Sequence, residues 1–500
     1  MNGTIKIRRF CLAGGICSLI SVCLLIYTSL RAYRLPFVHD EGVTYLLFIL
    51  PGVSSIMDCY SANNHFLNTI LMYCSSKIFG SSEFALRLPN LFAHVLFMLT
   101  SFFFLRRRLS NPYFLVLSFV VLNVNPFVLD FFSLARGYGI AMALMLLCVH
   151  LLLCGTRMGV EGKGYILAAF WCAGLSAFAN LSFLNFFGGI VGGYLIVVLM
   201  NHLRSGNSGN IWSGLTKTAA ESYYLGKHVV LMLLVLVPIG LNFYREKTLY
   251  YGGRSGLWSD TIISLISVSG YECNYLPVYL MVIKISVASV LAILVCVVVW
   301  QLKKNMSEDF ADIFLVSMAI SVTASLVIFQ HFVFGTPYPL DRTALHFLIL
   351  FEVLCVLLFA YFWASVRKVV RVTALILLVV CAAGSCFHAM RVANLGHSLI
   401  WKYTADVEQV LEDIEADVKA RGISGKIRLG ISWMFEPSLN YYYAVKRPFW
   451  LPIVTREGIK GEYDYYYVRP EDRPDLVDEN VHIMKEYSLT GNILARSKVH

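Results

Sequence analysis

Asp40 and Glu41 stand side by side in "LPFVHDEGVTY", where the first long apolar run of the chain gives out and a histidine precedes them. A carboxylate in that position has the chemistry of a general base, able to take a proton from a hydroxyl nucleophile. Burial at a helix-bundle mouth would raise its pKa toward the range suited to that work. Further along, "FFSLARGYGIAMA" presents Arg136 and Tyr138, "FYREKTLYYGGRSG" presents Arg245, Lys247, Tyr250, Tyr251 and Arg254, and "FGTPYPLDRTALHF" presents Arg342 and His346. Arginine suits an anionic phosphate through paired hydrogen bonds, and lysine through a point charge. Asn63, Asn64 and His65 in "NNHF" are candidates for hydroxyl recognition. A blander reading applies to each residue alone, because acids mark helix ends and Arg and Tyr anchor helices at headgroup level. Together on one face, they form a site.

The elements that must position these residues are membrane helices. The 500 residues are 58% hydrophobic and only 14% charged, against about 25% charged in a soluble domain. Apolar runs approach or exceed the roughly 18 residues that cross a bilayer, and about eleven are expected: Phe10–Leu30, Ala85–Leu105, Tyr113–Leu129, Gly137–Leu153, Tyr165–Leu181, Phe186–Met200, Val229–Phe243, Val278–Trp300, Ile313–Phe332, Leu345–Trp363 and Val372–Phe387. The formal charge of +10 is dispersed in short clusters between these runs, a topogenic pattern. It forms no basic stripe of the kind nucleic acid requires. The first run follows "KIRRF" with no small-residue cleavage site, and reads as a retained signal-anchor helix.

Alternate loops carry about sixteen basic residues on one face against about nine on the other, which places the N-terminus in the cytoplasm. An odd span number then puts Asp40, Glu41 and everything after about residue 390 outside, periplasmic if the cell is Gram-negative. The expected architecture is a polytopic α-helical membrane domain, residues 1–391, whose first outer loop (31–84) carries juxtamembrane helices. A small soluble extracytoplasmic α/β domain, 392–500, follows. In that domain "ADVEQVLEDIEADVKARG" predicts an amphipathic helix closed by Gly422, and "KIRLGIS", "YDYYYV" and "GNILAR" predict strands. The tyrosines of "LNYYYAVKRPFW" suit either a core or sugar stacking. Within the spans, Lys284 and Glu352 are ionisable groups at a costly depth, expected to face a cavity or a partner.

No zinc or redox cysteine spacing occurs among the thirteen cysteines. A divalent metal is left open through His39, Asp40 and His65, although their spacing matches no known ligand pattern.

"HDEG", "NNHFLNT", "FGSSEFALRLPNLFAHVLF" and "LARGYGIAMAL" together resemble the GT-C superfamily of membrane glycosyltransferases. The nearest branch is the protein mannosyltransferase-like group that includes the aminoarabinose transferase. The likeness covers about the first 155 residues, and the later spans by topology alone. It implies transfer of a sugar, with inversion, from a polyprenyl-phosphate carrier to a lipid, glycan or protein acceptor at the non-cytoplasmic face. On that likeness Asp40 matches the general base and Glu41 helps position the acceptor. Arg136, Arg245, Lys247 and Arg342 are matched to the carrier phosphate. A transporter or flippase of a lipid-linked glycan is the alternative; it predicts internal repeats, and none are visible.

Overall fold

The computed structural model describes residues 2–58, 61–205, 211–248, 251–273, 277, 281, 283–292, 308–364, 367–476 and 481–498. The membrane part comprises α1 (Asn2–Arg34), α2 (His39–Thr44), α3 (Val53–Asp58), α4 (Phe66–Phe79), α5 (Glu83–Arg108), α6 (Pro112–Asn123), α7 (Pro126–Phe132), α8 (Tyr138–Met158), α9 (Lys163–Ala179), α10 (Leu184–Ser205), α11 (Ile211–Arg245) and α12 (Ile263–Ser269). It continues through α13 (Ile283–Ala292), α14 (Glu308–Phe334), α15 (Leu345–Trp363) and α16 (Lys368–Val392). Among the described residues eight stretches are long and apolar enough to cross a membrane, or nine if the bent α6–α7 pair counts as one span. One of the eight, Tyr138–Ala179, is itself a hairpin of α8 and α9. Ser176 near the end of α9 donates to the carbonyl of Ala141 near the start of α8, at 2.8 Å. Ten of the eleven expected spans therefore have their helices. The span expected at 278–300 lies largely outside the described residues, where α13 alone is seen.

The α6–α7 break aims the site. Asn125 caps α7 with its side chain, and Pro126 at the first helical position cannot donate back to α6. The residue before a proline is driven out of the helical region, and Asn125 sits at φ −94°, ψ 116°. The chain bends by 67° there. The short α7 then delivers Ser133–Gly137 to the bundle mouth. Glu352 of α15 is buried close to Asn125 at this break.

The last hundred residues hold α17 (Val407–Ala420), α18 (Glu436–Lys446) and strands β1 (Leu429–Ile431), β2 (Tyr465–Val468), β3 (Val481–Glu486) and β4 (Ile493–Ser497). The sheet order is β1-β2-β4-β3, with β1 parallel to β2 and the other pairs antiparallel. α17 buries Val407, Val410, Leu411, Ile414 and Val418, the spacing of a helix with one apolar face. This unit does not stand apart from the outer loop. Phe37, Tyr45, Ile49, Met72 and Leu86 share one core with Val407, Ile414, Tyr441, Tyr465 and Leu494. Tyr441 stacks on Phe37 with centroids 3.9 Å apart, and the Tyr442 hydroxyl accepts the Phe37 N–H at 3.0 Å. These tyrosines are core.

A second tie is polar. Arg31 at the end of α1 pairs with Asp130 of α7, and also donates to the carbonyls of Asn394 (2.6 Å) and His397 (2.9 Å). Asp130 in turn accepts from the Tyr271 hydroxyl at 2.8 Å and the Leu399 N–H at 2.8 Å. A charge buried this way is tolerable because every oxygen has a donor.

Candidate active site

Glu41 is fully buried, and both of its oxygens are taken. Oε1 accepts from Arg87 Nε at 2.9 Å and the Ala135 N–H at 2.5 Å; Oε2 accepts from Arg87 Nη2 at 2.6 Å and the Val38 N–H at 3.0 Å. Arg87 completes its fork on the carbonyls of Ala32, Leu35 and Pro36. Glu41 was expected to help position the acceptor; here each of its oxygens already accepts two hydrogen bonds. Glu41 fastens the α1–α2 turn, α5 and the 133–137 segment together. Arg87 carries half of that clamp and was visible in the sequence only as part of "SEFALRLPNLF".

Asp40, one residue earlier, points elsewhere. It is 8% exposed, and its Oδ2 lies 3.4 Å from Arg136 Nη2 and 3.7 Å from Arg342 Nη2. The Trp401 indole also donates to it. Burial would raise this carboxyl, but Arg136, Arg342 and His39, with the indole, hold it below the ordinary aspartate range. Asp40 is therefore ionised at neutral pH. The expected upward shift is reversed because the arginines outweigh desolvation.

Arg136 is fixed by the Asp40 carbonyl (3.1 Å), the Thr44 hydroxyl (3.1 Å) and the Asn63 side-chain oxygen (3.0 Å). Close backbone approach makes this placement possible. A Cβ on Gly137 would lie 2.0 Å from the Ala179 carbonyl oxygen and 2.9 Å from His65 Cβ. Gly42 meets the start of α18 in the same way, with the Pro437 carbonyl oxygen 2.5 Å from where its Cβ would be.

Arg342 follows Asp341, which turns the chain at φ +46°. Its guanidinium lies 4.4 Å from the Tyr251 ring centroid and 5.1 Å from that of Trp401, and it hydrogen-bonds to Tyr138. A bridge pairing Gly253 with Tyr338 brings Tyr251 to this turn, and the Tyr251 hydroxyl donates to Asp341 at 2.8 Å. Tyr138 lies edge-on to His65 at 5.4 Å. His65 is buried, and its Nε2 meets no hydrogen-bonding partner among the described residues. Burial, then Arg136 and Arg342, push its pKa well below the ordinary histidine value, so the ring is neutral.

Asp40, His65, Arg136, Tyr138 and Arg342 thus come together. Arg245, Lys247 and Arg254 are exposed; of the same stretch it is Tyr251, itself 41% exposed, whose ring lies against Arg342, and Tyr250 lies outside the described residues. Trp401, Tyr403 and Met434 of the C-terminal part roof the site and escaped the sequence reading. Tyr403 lies near enough that, after burial, the Asp40 charge helps to push its hydroxyl pKa upward. His39 engages the Met434 carbonyl at 2.7 Å. The donor set does not fit a divalent cation: Asp40 is shared by two guanidinium groups, and His39 is turned to the roof. Among the described residues no three His, Cys, Asp or Glu side chains converge as metal ligands.

No family model matches the chain, and no curated protein matches it in sequence. Among solved structures it is similar to ArnT from Cupriavidus metallidurans in the apo state, at 12% identity and a TM-score of 0.45, over 96% of this chain and 97% of that one. It is similar also to the same protein bound to undecaprenyl phosphate, at 11% identity and a TM-score of 0.44, over the same shares. The likeness runs the length of both chains but is too distant to carry chemistry, which rests on the site itself.

Proposed function

We propose that the chain is an inverting glycosyltransferase that moves a sugar from a polyprenyl-phosphate carrier to an acceptor hydroxyl at the extracytoplasmic membrane face, with the N-terminus in the cytoplasm. The observation that carries this reading is a buried Asp40 carboxylate held between two arginines at the mouth of a helix bundle. The sequence resemblance of the first 155 residues supports it, as does the loop-charge asymmetry.

The donor phosphate arrives as an anion between Arg136 and Arg342. Both face Asp40 at separations longer than a hydrogen bond, so a phosphate with paired acceptors competes well for them. As the phosphate charge offsets that of the guanidinium groups, Asp40 loses part of what depresses its pKa and becomes the stronger base. The acceptor O–H proton then passes to Asp40. The acceptor oxygen's electron pair forms the new bond to the anomeric carbon from the face opposite the phosphate. The old C–O bond breaks, and its pair leaves on the phosphate oxygen, where the arginines stabilise the developing charge. One carboxylate is enough for inversion by this route; the covalent retaining route would need a nucleophile as well. Glu41 is a positioning residue here, acting through the 133–137 segment that carries Arg136.

Asp40→Asn tests the assignment. Transfer is abolished while folding and donor binding stay near wild type. Envelope glycolipids and glycans compared by mass spectrometry, with and without an active Asp40, would name the sugar and acceptor. Near wild-type turnover of purified D40N overturns the general-base role.

A further inference from the structure

A second polar site lies at the other end of the bundle and takes no part in the chemistry at Asp40. Helices α5, α8 and α15 all start beside the Asp40 site, through Arg87, Tyr138 and Arg342. They end together, at Arg108, Arg157 and Trp363, about 30 Å away for a 21-residue helix. There a cavity of about 390 Å³ is lined by Arg108, Ser110, Arg157, Asp312, Trp363 and Arg371 among others.

Asp312 organises the arginines around this cavity. Its carboxylate lies 2.7 Å from Arg108 Nε and 2.6 Å from Arg157 Nη2, and Arg157 Nη2 reaches Asp309 at 2.8 Å. Arg157 is thereby satisfied. Arg108 is not: its side chain is 2% exposed, and its two terminal amino groups meet no acceptor among the described residues. A buried guanidinium with two idle parallel donors is costly unless something accepts from them. Three further features say what that something is. The Asn111-capped N-terminus of α6, a 12-residue helix, opens into the same cavity and favours negative charge. Arg371, exposed at the start of α16, adds a positive charge at its rim. The lining is also aromatic, with Phe114 and Trp363 packed at 4.4 Å.

We infer that this cavity is a second anion site, which binds a phosphate group through the terminal amino groups of Arg108, with the lipid chain of its bearer along the Phe114–Trp363 wall. The favoured ligand is the phosphodiester of an anionic phospholipid, since basic pockets between membrane helices bind such headgroups. Free inorganic phosphate has the same recognised group and lacks the chain.

The test uses purified full-length protein, delipidated in detergent. Phosphatidylglycerol or phosphatidylcholine is added for native mass spectrometry, and inorganic phosphate for thermal stabilisation. Wild type retains phosphatidylglycerol over phosphatidylcholine. Arg108→Gln lowers that retention by about tenfold, the size of a lost charge-assisted pair. Arg371→Glu, at an exposed position that the fold does not need, weakens it too, which covers the case where R108Q fails to fold. Stabilisation by inorganic phosphate that R108Q or R371E removes, without any preference between the lipids, assigns the site to free phosphate and keeps the anion site. Retention and stabilisation that neither substitution changes overturn the proposal.

Discussion

Glu41→Gln separates the two adjacent acids more sharply than any substitution of Asp40. The change is nearly isosteric, so no cavity forms. Each Glu41 oxygen accepts two donors, one from Arg87 and one backbone N–H. Converting either oxygen to an amide NH2 sets donor against donor at two contacts and leaves Arg87 a buried cation without a counter-charge. Breaking a buried pair in this manner costs about 3–5 kcal/mol, roughly two to three and a half powers of ten in the folded ratio. Asp40→Asn, by contrast, touches looser contacts at 3.4 and 3.7 Å, and Arg136 keeps the Asp40 carbonyl, Thr44 and Asn63 as acceptors, so its cost in stability should be the smaller of the two. The assay is apparent thermal unfolding of detergent-solubilised protein beside turnover. E41Q is expected to fall by several degrees and to lose activity in proportion to folded protein. Adding Arg87→Met to E41Q should restore part of the stability, because the orphaned charge goes with it. Wild-type unfolding of E41Q with a raised acceptor KM would refute the clamp and return Glu41 to the substrate.

Arg342→Ala should weaken use of the polyprenyl-phosphate donor by about tenfold or more while sparing acceptor KM; unchanged donor dependence removes it from the phosphate site. Trp401→Phe takes away the indole donor to Asp40, so the acidic limb of the kcat/KM profile should move to higher pH, and an unmoved limb refutes that contact. The folded pKa of His65 is depressed by burial, Arg136 and Arg342. The unfolded chain therefore binds the extra proton, and stability falls as pH drops below about 6.5. His65→Gln should flatten that fall, as read from unfolding midpoints between pH 7 and 5; an identical slope would show the ring to be solvated.

The helices were legible because each apolar run is its own evidence, and the Asp40–Glu41 pair because two acids ending such a run are conspicuous. The division of labour between the acids was not legible. It depends on Arg87, 46 residues from Glu41, and on a backbone N–H at Ala135, 94 residues away. No local pattern encodes either contact. Arg245, Lys247 and Arg254 were grouped with Tyr251 on proximity along the chain, but the bridge to Tyr338 sets the tyrosine against the Arg342 turn and leaves the three cations in the open. In the C-terminal part α17 and three strands matched their sequence runs. α18 was hidden by tyrosines that favour strands, although Pro437 at its first turn suits a helix start. β3 lacks an apolar alternation, since its side chains are exposed or half-buried.

The shared core of the outer loop and the C-terminal part sets an order of events during synthesis. The Asp40 turn leaves the ribosome early, while Trp401, Tyr403 and Met434, which close over it, leave late. Until they arrive, Phe37, Tyr45 and Met72 have no Tyr441 or Ile414 to pack against, and Arg31 and Asp130 lack the backbone groups of residues 394–399. A chain interrupted before the last hundred residues can insert all its helices and still hold an unfinished site. Competence is thus tied to completion: a half-made chain lacks the roof over Asp40.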